Sequence, residues 1–163
     1  MSMEDKIKEV IEQEQKLKFG HFSNDDAYRL GTIIYEMAKE RELPVTIEIR
    51  KNTQIVYHVA LEGTSPDNDK WLERKYNLVN RTGLSSYRIS LELKASGKTL
   101  EERLELTTEN YAAHGGCFPI NVEGTGIIGT VAVSGLEQSM DHSLAIEGIC
   151  KFLGRKLLGR KLD

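Results

Sequence analysis

His114-Gly115-Gly116-Cys117-Phe118 and Asp141-His142 are the residues of this chain whose types and spacing could do chemistry. Two imidazoles, a thiol, a carboxylate and a glycine pair fall within thirty residues, separated by the strongly β-forming run Gly129-Thr130-Val131-Ala132-Val133-Ser134-Gly135. A Gly-Gly corner can bring backbone amides close to a ligand and cup an anion. Read as structure alone, the same corner is a tight turn feeding a strand, with Pro119 where a missing donor is tolerated. A neutral imidazole can ligate a metal or accept a proton. His142 is placed in the first turn of the last helix, where the dipole disfavours imidazolium. Asp141 either caps that helix or orients a histidine.

If His114 and His142 converge, three occupants compete. A His/His/Asp cluster would hold a divalent metal, although no compact ligand motif such as HExxH is present. An imidazole would ligate haem iron, with Phe118 against the macrocycle. The amide corner with Arg74, Lys75 or Arg88 would bind a carboxylate or phosphate, and this demands the fewest coincidences. Cys117 beside amides and a histidine is a candidate nucleophile, against the commoner fate of a buried small hydrophobe. Ser134 lacks the Gly-x-Ser-x-Gly elbow of a hydrolase. Cys150 reads as core, Trp71, Tyr76 and Tyr87 as core or interface, and His21 and His58 as structural.

The elements that must position these residues follow from periodicity. Ile7, Val10, Ile11 and Leu17 predict a helix over 4–18. Ser23 with Asp26 is a capping box opening a second helix, whose apolar face is Ala27, Leu30, Ile34, Met37 and Ala38. Val45, Ile47 and Ile49 alternate with polar residues, and Ile55 to Leu61 follows a turn at Lys51-Asn52-Thr53, which predicts a hairpin. Ser65-Pro66 starts a helix that stops near Gly83. Residues 85–95 fit either helix or strand. Thr99 with Glu102 caps a short helix to about Asn110. A second hairpin joins Phe118–Val122 to Ile127–Val133 around Gly124-Thr125-Gly126. A last helix starts near Asp141 and carries Ile146, Ile149, Leu153 and Leu157 on one face, and the Gly-Arg-Lys-Leu echo at 154–157 and 159–162 reads as its basic end. Two hairpins without βαβ crossovers predict an α+β domain spanning 1–163, an antiparallel sheet packed by helices.

Bulk numbers set limits. The chain has 163 residues, a net charge of −3 and two cysteines. Its slight acidity argues against a nucleic-acid partner, and no run approaches the ~18 apolar residues of a membrane span. A charged N-terminus without an apolar segment, and few cysteines, predict cytoplasmic residence with reduced thiols.

Gly-Gly-x-Phe-Pro-Ile (115–120), Gly-Thr-Val-Ala-Val-Ser-Gly-Leu (129–136), Asp141-His142, Trp71-Leu72-Glu73-Arg74-Lys75 and Ser85-Ser86-Tyr87 together resemble the haem-degrading-domain superfamily of HbpS/GlcG-like proteins, in its small stand-alone branch, over roughly residues 20–155. The resemblance implies an α/β/α layered, profilin-like domain that forms homo-oligomers, and haem as one ligand of some members. Cys117 fills a variable slot of the pattern, so it inherits no role. The expectation is a homo-oligomeric protein binding a small anion or haem at the 114–118 corner. The alternatives are an enzyme using a metal or the Cys117 thiolate at that corner, and an oligomeric scaffold without activity.

Overall fold

A computed structural model describes residues 1–157. The helices are α1 (Met3–Lys16), α2 (Asn24–Glu40), α3 (Pro66–Thr82), α4 (Ser86–Ser96), α5 (Leu100–Leu104) and α6 (Gln138–Leu153). The strands are β1 (Thr46–Lys51), β2 (Gln54–Ala60), β3 (Cys117–Val122) and β4 (Gly126–Ser134). They form one antiparallel sheet in the order β2-β1-β4-β3, so the two expected hairpins join through their β1 and β4 strands. Pro119 lies in β3, an edge strand, where its missing N–H breaks no ladder. Phe19 runs alongside that edge, exchanging backbone hydrogen bonds with Asn121 and Glu123.

Alternation along the strands sorts the two faces. Ile47, Ile49, Phe118, Ile120, Val131 and Val133 face α2 and α6 and form the main core with Leu30, Ile34, Ile146 and Ile149. Thr130, Ala132, Glu48 and Cys117 share the opposite face, where Leu72 and Val79 of α3 cover Cys117 and Ala132. Helices therefore cover both faces of the sheet, the α/β/α layering of an α+β fold.

Caps explain most boundaries. Ser23 and Asp26 close the box at α2, and Thr99 and Glu102 the one at α5. Residues 85–95 resolve as helix, because Ser85 accepts from the Arg88 N–H and nucleates α4. Three expectations need correction. The helix capped by Thr99 ends at Leu104, where Glu105 turns left-handed (φ 57°), and does not reach Asn110. The last helix starts at Gln138, so His142 lies beyond its first turn. It ends at Leu153 with Gly154 at φ 66°, so Leu157 and the 154–157 motif are outside the helix; the 159–162 copy lies outside the described residues.

Candidate functional site

At the end of the sheet where β4 finishes and β3 begins, α3 comes from one layer and α6 from the other. Between them is a cleft of about 310 Å³, lined in part by Asp67, Trp71, Lys75, His114, Gln138 and Asp141. Its floor is an ion pair. Lys75 Nζ lies 3.3 Å from Asp141 Oδ2 and donates to the Val133 carbonyl at 3.1 Å, and each side chain is 3% exposed. Asp141 also accepts from the amides of Gly135 (3.3 Å) and Leu136 (3.0 Å), so it ties down the β4–α6 turn and does not cap α6.

Burial dominates the electrostatics of the pair. Desolvation pushes the Asp141 carboxyl up to about 6 despite Lys75 and two backbone donors. Desolvation likewise pushes the Lys75 ammonium down, against the attraction of Asp141. A buried pair of this kind is weak evidence of stabilisation, because desolvation can exceed the Coulombic gain. Perturbed titration in a cleft is instead a mark of functional sites. Lysine has three donors, and two of Lys75's are used among the described residues.

The glycine corner serves this pair. Gly116 holds φ at 132°, and a Cβ there would press on the Val133 carbonyl and stand 2.8 Å from Lys75 Nζ. A Cβ on Gly115 would press on the Gln138 carbonyl and stand 2.9 Å from the Tyr87 ring. The Gly115 N–H donates to Gln138 Oε1 at 3.0 Å. The amides of Gly115, Gly135 and Leu136 are thus engaged internally, and the anion that occupies the turn is the protein's own Asp141.

His114 stands exposed at the rim. Its ring meets Trp71 edge-on, with centroids 5.0 Å apart. The Arg74 guanidinium lies 4.6 Å from the Trp71 ring centroid and donates through Nε to the Thr108 carbonyl. Partial burial first, then the positive charges of Lys75 and Arg74, push His114 below its ordinary value, so its imidazole is neutral near pH 7.

His142 does not join it. It is 3% exposed and stacks 4.8 Å from Tyr87, and its Nε2 pairs with Gln13 Oε1 at 2.7 Å. Burial pushes it down to about 3, so desolvation and not a helix dipole keeps it neutral. It lines a different cavity, between α1, α4 and α6. Among the described residues no group of three His, Cys, Asp or Glu side chains is arranged to hold a metal, and the His/His/Asp cluster does not form.

The other candidates disperse too. Cys117 is fully buried, and desolvation pushes its thiol up to about 12, which removes the thiolate reading. Phe118 is in the core behind the sheet. Arg88 is held by Glu14 (2.7 Å) and Glu92 (2.9 Å), away from the cleft. His21 and His58 pair with Asp26 and Asp69.

Sequence reasoning missed Trp71 as a cleft wall, and Asp67, Asn68, Ser134, Leu136 and Gln138 as lining. One signal was present: Asp67, Trp71 and Lys75 recur every four residues on α3, a single stripe of acid, aromatic and base.

Comparison with known proteins gives a consistent picture. A family model described as "Haem degrading protein HbpS-like" matches residues 22–150. A UPF0303 protein of Streptomyces coelicolor is 47% identical over 148 residues, covering 91% of this chain and 94% of that protein. The crystal structure of the Ybr137w protein superposes with a TM-score of 0.85 at 29% identity, over 96% of this chain and 91% of that one. The crystal structure of a PduOC:heme complex superposes with a TM-score of 0.66 at 18% identity, over 79% and 93% of the two chains. At that identity it speaks for the fold alone.

Proposed function

Because the chain belongs to the HbpS-like haem-degrading family, we propose that it is a binding protein whose α3–α6 cleft receives one edge of haem or of a similar flat, acid-bearing ligand. The observation that carries this is His114, a rim imidazole held neutral and without a hydrogen-bond partner among the described residues, in edge-on contact with Trp71. The donor set fits such a group in kind: imidazole for iron, indole for an apolar ring, and the remaining Lys75 donor for a carboxylate. Size limits how much enters. Pockets for drug-sized ligands run from about 300 to 1,000 Å³, and the cleft, at about 310 Å³, is at the bottom of that range. Most of a macrocycle would stay outside it.

Bound haem would supply an iron centre with redox chemistry. Trp71 would orient the ligand, His114 would offer its imidazole nitrogen, and the buried Lys75–Asp141 pair would stand at the floor. Haem titration of the purified protein should give a saturable Soret band that His114→Ala shifts or abolishes. An unchanged spectrum in His114→Ala removes the imidazole from the site, and absence of saturation removes the haem reading.

A second reading, a small carboxylate or phosphate without iron, is favoured by the unused donor of Lys75. It predicts binding of such anions that persists in His114→Ala and is lost in Lys75→Met. Homo-oligomeric assembly and cytoplasmic residence belong to the same proposal. Light scattering at micromolar concentration checks the assembly, and a strict monomer would count against it.

A further inference from the structure

A separate hollow, of about 410 Å³, opens where the end of α6 meets α2 and the loop after α1. Its walls are largely apolar: Ile33, Phe152 and Leu153 are half-buried, with outer surfaces a ligand can reach, and Phe19 closes behind them. The Phe19 and Phe152 rings stand 5.8 Å apart between centroids, and Phe22 braces both at 5.1 and 6.4 Å. The cation of the hollow is Arg29. Its guanidinium lies 5.5 Å from the Phe152 ring centroid and donates through Nη2 to Asp26, so it is anchored between two wall residues. Asp26 has little left to offer a ligand. It is 1% exposed and also meets the Ser23 N–H at 2.8 Å and His21 Nδ1 at 3.0 Å. Arginine carries five N–H donors. Arg29 spends one of them among the described residues, and its side chain is 63% exposed. Among the described residues no other acid lines the hollow, and the exposed Lys18 and Lys151 flank Phe19 and Phe152 in the chain.

We propose that this hollow is a further binding site, taking a carboxylate on a one- or two-ring apolar body, with the ring against Ile33 and Phe152 and the carboxylate on Arg29. Three features select that class. Charge is complementary: with Nη2 given to Asp26, Nη1 and Nε remain for a carboxylate, which a guanidinium fork matches in two parallel bonds. Size fits as well, since pockets for small organic ligands run from about 300 to 1,000 Å³ and pair apolar walls with a few polar anchors. The third is the pairing of the two. A wholly polar acid would leave the apolar walls wet, and a bare hydrocarbon would leave the anchored cation unused. None of the residues lining this hollow borders the Trp71–His114 cleft, so the inference stands apart from haem binding.

The test titrates the full, ¹⁵N-labelled chain with 1-naphthoate and reads amide resonances. Naphthoate should move the Gly20 amide, at the wall of the hollow, saturably and leave Gly135, at the other cleft, in place. 1-Naphthamide, which has the rings without the charge, should bind about tenfold more weakly or worse. Arg29→Gln changes an exposed side chain and spares the core. It should weaken naphthoate by about tenfold or more and leave naphthamide as it was. Ile33→Trp, which narrows the hollow from α2, should weaken both probes. The proposal is overturned if naphthoate does not saturate, or if it moves Gly135 and not Gly20, which would place the acid in the α3–α6 cleft. It is equally overturned if naphthamide binds as tightly as naphthoate, or if Arg29→Gln binds naphthoate as the wild type does.

Discussion

Gly116 is the residue on which the buried pair depends. Its φ of 132° is one that L side chains rarely adopt, and a non-glycine residue held in such a region costs about 1–3 kcal/mol. An added methyl would also crowd Lys75 Nζ at 2.8 Å and Asp141 Cβ at 3.1 Å. Gly116→Ala is expected to lower the unfolding free energy by about 2 kcal/mol or more, read from urea melts. A wild-type midpoint would mean that the corner does not house the pair. Asp141 beside it and His142, one residue on in α6, give stability opposite pH dependences. Asp141 is raised from 3.8 to about 6, so its contribution is complete below pH 4 and is lost as pH rises through 6. Against Asp141→Asn, the wild type should lose up to about 3 kcal/mol across that window. His142 is lowered from 6.5 to about 3, so its contribution is present above pH 6.5 and is lost as pH falls toward 3. Against His142→Phe, the wild type should therefore lose stability on acidification. Melting curves from pH 4 to 7 separate the two, and profiles parallel to both variants would refute both assignments.

Among the helices, α2 and α6 approach each other closely at Gly148. A Cβ on Gly148 would press on Ile34 Cγ1 and stand 3.0 Å from its Cδ1. Overpacking a core commonly costs about 1–3 kcal/mol, so Gly148→Ala should lower the unfolding free energy by that amount and the denaturation midpoint with it, even though alanine is the better helix former. An unchanged or raised midpoint would mean that the helices slide apart at no cost. Gly148 is one of several places where local pattern could not announce a tertiary demand. The hairpins were legible because Ile47 and Ile49 alternate with polar neighbours and Asn52 takes the turn at φ 56°. The start of α6 was not. Its N-cap is Glu137, which accepts from the Ser139 N–H, whereas Asp141, the better capping type, is drawn away by Lys75 and the Gly135–Leu136 amides. The site was half legible for the same reason. Lys75 and Asp141 stood among the candidates, but 66 residues separate them, and only the layered fold shows that one pairs with the other. Cys117 and His142 carried reactive types into positions that burial makes inert or inward-facing.

At the scale of the whole molecule, the cleft joins the two helical layers across the end of the sheet, one wall on α3 and the other at the start of α6. A ligand held there touches both layers and binds only when they are docked, so its binding free energy adds to the stability of the folded state. At a hundredfold excess over its dissociation constant, a ligand specific for the folded state adds about 2.7 kcal/mol. Each kcal/mol raises the melting midpoint of a domain of about 150–250 residues by roughly 2–4 °C. Haem at that excess should therefore raise the midpoint by about 5–10 °C, read by differential scanning calorimetry. Under the proposed ligation of iron by the imidazole, His114→Ala should lose most of the rise. Lys75→Met starts from a lower midpoint, since it leaves Asp141 buried without its cation, yet it should keep a rise if iron ligation dominates. An equal rise in His114→Ala would place the ligand elsewhere on the molecule. A rise lost in Lys75→Met but kept in His114→Ala would favour the small-anion reading.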